Sequence, residues 1–209
     1  MKLTALFVFL GIFFDFFDGL LARKLNVQSE LGVQLDSLAD MVTSGLVPGL
    51  VLFYLLGLAP QPSWESSDLL PYFGLLVTLA SAYRLAKFNI DTRQSDSFIG
   101  LPTPANALFI TSLPLIIVNF TNTIVAEYLC NNWVLLTITF FSTYIMNAEI
   151  PLFSLKIKDF SFAKYKLQIF FLAISVLMLI FLQILAVPLI IIIYVLLSVF
   201  NNMVNKKAS

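Results

Sequence analysis

The sequence predicts an all-α protein, a polytopic bundle of transmembrane helices that forms a single integral membrane domain over residues 1–209. Three observations support this fold class. The chain is 59% hydrophobic and only 11% charged, and its mean hydropathy is +0.93. Its apolar stretches reach about 20 residues, the length that crosses a hydrocarbon core of about 30 Å. These stretches must be helical, because lipid offers no partner to an unpaired backbone N–H or C=O group.

The apolar stretches, taken in chain order, give about seven spans. The short polar turn Lys24–Leu31 separates the first two, and Pro102 and Pro104 favour a helix start at the fourth. The last two form one apolar stretch interrupted near Pro188. A C-terminal hairpin over 167–204 is preferred to one kinked helix, which would be too long for the bilayer. The predicted spans are 3–22, 34–58, 69–88, 104–120, 129–147, 167–184 and 187–204.

The basic residues predict the orientation of the bundle. If the spans alternate, nearly all Lys and Arg residues fall on one side, whereas the opposite loops, 60–71 and 121–128, contain none. The positive-inside rule therefore places the turn after the first span in the cytoplasm of a bacterial-type membrane. The amino terminus is then outside with only Lys2, and an additional helix before residue 1 would remove this unusual start. The residues on the predicted cytoplasmic side are Arg23, Lys24, Arg84, Lys87, Arg93, Lys156, Lys158, Lys164, Lys166, Lys206 and Lys207.

Composition also narrows the chemistry. The chain has no histidine, which excludes Ser-His and Cys-His nucleophile pairs and most transition-metal sites. Its single cysteine, Cys130, excludes an intrachain disulfide and a cysteine-based zinc cluster. The net charge is zero, so no basic surface points to nucleic acid as a partner. What remains is chemistry by carboxylates, oxygen-binding metal ions, arginine and lysine.

Four aspartates lie close together near the start of this apolar chain. Asp15 and Asp18 are three positions apart and Asp36 and Asp40 are four apart, so each pair lies on one helix face. An aspartate at the centre of a membrane helix costs about 2.5–3.5 kcal/mol and needs a compensating partner. Two carboxylate pairs that meet across the turn can hold two divalent ions, which clamp the oxygens of a pyrophosphate during displacement.

Small and polar residues beside the aspartates suit a nucleotide. Gly19 removes a side chain next to the carboxylates, so that a nucleotide can approach the backbone. Arg23 lies one helical turn further on and can donate two parallel hydrogen bonds to a phosphate. Ser29 and Gly32 lie in the turn before the second helix, where a phosphate or a ribose could meet free backbone N–H groups.

The complete pattern, D-x2-D-G-x2-A-R-x8-G-x3-D-x3-D from Asp15 to Asp40, resembles the signature of the CDP-alcohol phosphotransferase family. In that family the first three aspartates bind two divalent ions, Mg²⁺ or Mn²⁺, and the fourth is the general base. The resemblance thus implies metal ligands at Asp15, Asp18 and Asp36. It makes Asp40 the base and a secondary metal ligand. The residues that it assigns to the CDP group are Gly19, Ala22, Arg23, Ser29 and Gly32.

A second segment is similar to the phosphatidylserine synthase branch of this family. It reads R-L-A-K-F-N-I-D-x-R from Arg84, followed by F-I-G-L-P-T-P-A-N from Phe98. The resemblance implies transfer of a phosphatidyl group from CDP-diacylglycerol to L-serine, giving phosphatidylserine and CMP at the cytoplasmic face. Arg84 and Lys87 share a helix face and suit a phosphate or the serine carboxylate, or else they are ordinary positive-inside anchors. The implied acceptor site is Arg84, Lys87, Asn89 and Arg93.

Within the domain, residues 1–150 are the predicted catalytic core. Family members usually have a helix before the motif helix, and its absence here would leave the Phe-rich surface of residues 6–17 facing lipid or a second copy in a homodimer. Two other functions stay open. The same chemistry could use another acceptor, namely glycerol 3-phosphate, an inositol phosphate or choline. A cation transporter could also use intramembrane aspartates, but it would not need Gly19, Ala22 and Arg23 beside them.

Overall fold

The computed structural model describes residues 2–27, 29–60, 69–91, 98–153 and 165–208, apart from the side chains of Arg23 and of residues 205–208. The described chain is mostly helical, and apolar helices make up most of it. The elements are α1 (Lys2–Leu25), α2 (Glu30–Asp40), a π-helical turn (Met41–Leu46), α3 (Val47–Leu58), a 3-10 turn (Leu70–Leu75), α4 (Leu76–Ile90), β1 (Phe98–Ile99), α5 (Thr103–Asn119), α6 (Ile124–Leu129), α7 (Asn132–Asn147), β2 (Pro151–Leu152), α8 (Lys166–Leu182), a second 3-10 turn (Gln183–Leu185) and α9 (Ala186–Ala208).

Among the described residues, three segments are long and apolar enough to cross a membrane: Lys2–Ala22, Glu30–Leu58 and Lys166–Val204. The third is a pair of helices, because the rings of Phe171 and Tyr194 lie 5.5 Å apart. A continuous helix would separate them by about 35 Å. The chain therefore reverses between α8 and α9, at Gln183, whose φ is 49°. The other apolar helices are shorter, and the count of about seven spans stays a prediction.

Two details differ from the predicted helical chain. The short strands β1 and β2 pair antiparallel, with Phe98 opposite Leu152, because backbone groups between helix ends also need hydrogen-bond partners. The span predicted at 129–147 begins only at Asn132, after the separate helix α6. The side chain of Asn131 accepts a hydrogen bond from Trp133 N at 2.9 Å, and this cap starts α7.

The hydrophobic core lies between α3, α4, α5, α7 and α9, whereas α1 and α2 are peripheral. Fully buried core residues include Leu52, Leu56, Ile110, Leu135 and Met146. Helix α1 packs on α5 and on the π-helical turn and exposes several phenylalanines. It crosses the π-helical turn so closely that a Cβ on Gly11 would stand 3.1 Å from Thr43 Cγ2. This crossing brings the aspartate-bearing end of α1 beside α2.

Candidate active site

The two halves of the aspartate motif meet between α1 and α2. The side chains of Asp15 and Asp36 are in hydrogen-bonding contact, although 21 positions separate them in the chain. Asp18 and Asp40 are close enough to Asp15 to repel it. Two carboxyl groups in contact repel each other unless a proton or a cation lies between them. The fold thus concentrates negative charge at one point of an otherwise apolar surface.

Asp40 ends α2, immediately before the π-helical turn Met41–Leu46. Single π-helical turns are found frequently at functional sites, where they change the direction of a side chain. The Asp40 side chain is half-buried, and its Oδ1 atom is shielded from solvent without a hydrogen-bond partner. The nearby Arg84 guanidinium attracts it across the helix interface. A shielded carboxylate oxygen without a partner is suited to accept a proton or to bind a cation.

The chemistry of these carboxylates fits a divalent ion. Asp15 and Asp36 present hard oxygen ligands in mutual contact, and the unpaired Oδ1 atom of Asp40 offers a third oxygen nearby. Within the described part of the chain, however, no three acidic side chains are grouped closely enough to hold one ion. The two-metal ligand set that includes Asp18 therefore stays a prediction.

The turn between the two motif helices is closed by a helix cap. Ser29 is the N-cap of α2, and its Oγ accepts a hydrogen bond from Gly32 N at 3.0 Å. A Cβ on Gly32 would stand 3.1 Å from this oxygen, so glycine leaves room for the cap. The Gly32 N–H is thus engaged by the protein and is not a free donor. Gly19 and Ala22 lie half-buried on α1, whereas the Arg23 side chain is outside the described part.

Arg84 lies on α4, and its side chain contacts the backbone next to the strands β1 and β2. Its side chain is 7% exposed. Its Nε donates to Met146 O at 3.1 Å and its Nη2 to Gly100 O at 3.3 Å. The φ of Gly100 is 75°, and a Cβ there would collide with Met146 O. Arg84 therefore holds the end of α4 to two buried backbone carbonyls while it faces Asp40.

Two of the other predicted acceptor residues, Lys87 and Asn89, have partners within the protein. Lys87 forms an ion pair with Glu149, whose nearest oxygen is 3.2 Å from Nζ. Asn89 donates from Nδ2 to Ser37 Oγ at 2.9 Å. Ser37 lies between Asp36 and Asp40 at a variable position of the motif, and nothing in the sequence singled it out. Arg93, the last predicted residue, is outside the described residues.

Comparison with known proteins identifies the protein family. A family model described as CDP-alcohol phosphatidyltransferase matches residues 1–145, and the chain belongs to this family. Members of the family generally use divalent metal ions.

Several curated relatives share one printed name, CDP-diacylglycerol--serine O-phosphatidyltransferase. The protein from Bacillus subtilis (strain 168) is 41% identical over 122 residues, which are 56% of this chain and 60% of the relative. The Methanocaldococcus jannaschii protein is 37% identical over 103 residues, which are 49% of this chain and 46% of the relative. The Helicobacter pylori (strain J99) protein is 36% identical over 102 residues, or 48% and 40%. The matches thus span about half the length of these relatives.

Proposed function

We propose that this chain is a membrane enzyme that transfers a phosphatidyl group from CDP-diacylglycerol to L-serine, with its active site at the cytoplasmic face. The contact between Asp15 and Asp36 carries the proposal, because it joins the two halves of the family signature in one carboxylate cluster. The names of the relatives support the serine acceptor. The basic residues on the side of the α1–α2 turn support the cytoplasmic face.

The proposed mechanism is a direct displacement. Asp40 takes the proton of the serine hydroxyl, and this oxygen attacks the phosphorus that carries diacylglycerol. The bond from this phosphorus to the bridging pyrophosphate oxygen breaks, and CMP leaves with the electron pair. The Oδ1 atom of Asp40 has no hydrogen-bond partner that would compete for this proton. The nearby Arg84 guanidinium attracts the Asp40 carboxylate.

The proposed metal ligands are Asp15, Asp18 and Asp36, with Asp40 as a secondary ligand. A pair of Mg²⁺ or Mn²⁺ ions bound there would neutralise the charge that develops on the bridging oxygen. Gly19, Ala22, Arg23, Ser29 and Gly32 remain the proposed neighbours of the CDP group.

The partners of the predicted acceptor cations favour serine over a phosphorylated alcohol. A phosphate dianion needs several available positive charges, whereas serine brings one carboxylate and its own ammonium group. Arg84 is engaged by two carbonyl groups and Lys87 by Glu149. A carboxylate requires only one of them to turn towards the substrate.

An acceptor panel tests the proposed function directly. Membranes that contain the full chain receive radiolabelled CDP-diacylglycerol and, separately, serine, glycerol 3-phosphate, an inositol phosphate or choline, and each lipid product is identified. We expect phosphatidylserine and CMP with serine alone. Membranes without the chain are the control. Transfer to a different alcohol would identify that alcohol, and not serine, as the acceptor. Absence of transfer to any of the four would refute the proposed activity.

Lys87 and Glu149 provide a matched pair of variants for the acceptor site. If Lys87 binds the serine carboxylate, Lys87→Gln should raise the KM for serine about tenfold, because a hydrogen bond to a charged group contributes about 1.5 kcal/mol or more. The KM for CDP-diacylglycerol should change little. Glu149→Gln keeps the lysine but removes its partner, so serine binding should be unchanged or stronger. Equal rises in both KM values, or the same loss from Glu149→Gln, would contradict this assignment.

A further inference from the structure

Helix α2 carries two of the four motif aspartates but has little packing to hold it. None of its residues is buried, and only Ser37 and Asp40 are half-buried. Most helices in proteins are stabilised by burial of an apolar face, and α2 lacks that support in this chain. Its C-terminal end is continuous with the π-helical turn, which packs on α4, so polar contacts add to this continuity in setting where α2 lies relative to α4.

Ser37 supplies such a contact. Its Oγ accepts a hydrogen bond from Asn89 Nδ2 at 2.9 Å, across 52 positions of the sequence. The same hydroxyl lies 3.1 Å from Val33 O, to which it can donate within its own helix. The Ser37 hydroxyl thus accepts a hydrogen bond from α4 and can donate one within α2.

The α4 end of this contact is firmly held. Arg84 bonds to the carbonyls of Met146 and Gly100, and Lys87 pairs with Glu149, within the two helical turns before Asn89. Asn89 therefore projects from a fixed helix end. A hydrogen bond from this helix end to the weakly packed α2 restricts the rotation of α2 about its junction with the π-helical turn.

We infer that Asn89 and Ser37 form a positioning pair that sets the place of Asp36 and Asp40 opposite Asp15. Ser37 directly follows Asp36 and lies one helical turn before Asp40, so rotation or displacement of α2 moves both carboxylates together. A misplacement of about 1 Å can cost about a hundredfold in rate. This inference rests on the proposed function of the aspartate cluster, and it gives Asn89 a role other than contact with the acceptor.

The test compares Asn89→Ala and Ser37→Ala with the wild-type full chain, purified in detergent. Loss of a residue that orients metal ligands typically lowers metal affinity or activity by about 10–100-fold. We expect each variant to weaken Mn²⁺ binding about tenfold, measured by electron paramagnetic resonance without substrate, and to lower kcat by about 10–100-fold. The KM for serine should stay within about twofold of wild type. The double variant should lose no more than either single variant, because both remove the same bond.

Two further variants separate positioning from general damage. Ser37→Thr keeps the hydroxyl and should restore Mn²⁺ affinity and kcat, whereas Gln34→Ala, at an exposed position of the same helix, should change neither. A rise in the KM for serine with unchanged Mn²⁺ affinity in Asn89→Ala would overturn the inference in favour of an acceptor contact. Failure of Ser37→Thr to restore either property would also overturn it. The wild-type chain could also transfer no phosphatidyl group while the variants bind Mn²⁺ more weakly than it does. That result would support the positioning pair and refute only the proposed reaction.

Discussion

Asp36→Asn is expected to lower the rate of phosphatidyl transfer by roughly three orders of magnitude while the fold is retained. The substitution keeps the shape of the side chain but removes the charge that faces Asp15. Metal ions stabilise the charge of a transition state by several kcal/mol, and each 1.36 kcal/mol is a factor of ten in rate. The rate is measured with saturating CDP-diacylglycerol and acceptor over a range of Mg²⁺ or Mn²⁺ concentrations.

Glu30→Gln is the matched control for this variant. It also converts an acid to its amide on α2, but Glu30 lies exposed in the first turn, away from the cluster. We expect it to retain nearly the wild-type rate, and both variants should elute as the wild-type protein does in size-exclusion chromatography. Near-native turnover by Asp36→Asn at low metal concentration would refute the assignment of Asp36 as a metal ligand.

Gly74→Ala is expected to cause a large loss of stability. Gly74 lies in the first 3-10 turn, where it touches α3 through its backbone. A Cβ there would stand 2.5 Å from Phe53 N and 2.8 Å from the carbonyl carbon of Leu52. Backbone atoms cannot rotate away as a side chain can, so α3 and the turn must separate. Such overpacking typically costs about 1–3 kcal/mol, which corresponds to a fall in Tm of about 2–12 °C in a chain of this size. We expect the upper end of this range.

Thermal unfolding of the purified protein in one detergent, followed by circular dichroism, measures this loss. Gly57→Ala is the matched control, since Gly57 lies in α3 beside the same 3-10 turn and a Cβ there would meet Pro71 Cγ at 3.7 Å, an ordinary contact distance. It should melt within a few degrees of wild type or slightly higher, because alanine favours a helix over glycine. Equal melting temperatures for the two variants would show that the α3 crossing tolerates a methyl group at Gly74.

Much of the architecture could be predicted from composition and local pattern. The long apolar stretches predicted the helices, because a span in lipid must satisfy its own backbone and this requirement is local. Pro104 lies in the first turn of α5, as the two prolines predicted. The turn at Lys24–Leu31 also lies between the two motif helices, where Ser29 caps α2. These features depend on neighbours within about four residues.

The break between α6 and α7 and the strand pair were not predicted. The first depends on the side chain of Asn131, a weak local signal inside an apolar run. The second depends on Phe98 meeting Leu152, which lies 54 positions away. Pairing between distant segments is determined by how the helices pack, and a single sequence carries little information about it.

The class of chemistry follows from the amino-acid sequence, because eight fixed positions around four aspartates in an apolar chain are typical of very few kinds of site. Which of these groups meet depends on how the helices pack. This packing brings Asp15 into contact with Asp36, binds Arg84 to the carbonyls of Met146 and Gly100, and joins Asn89 to Ser37. This difference arises because a hydrogen bond has a short range and acts only within about 3.5 Å. Residue types and spacing therefore indicate which groups are available, whereas helix packing selects their partners.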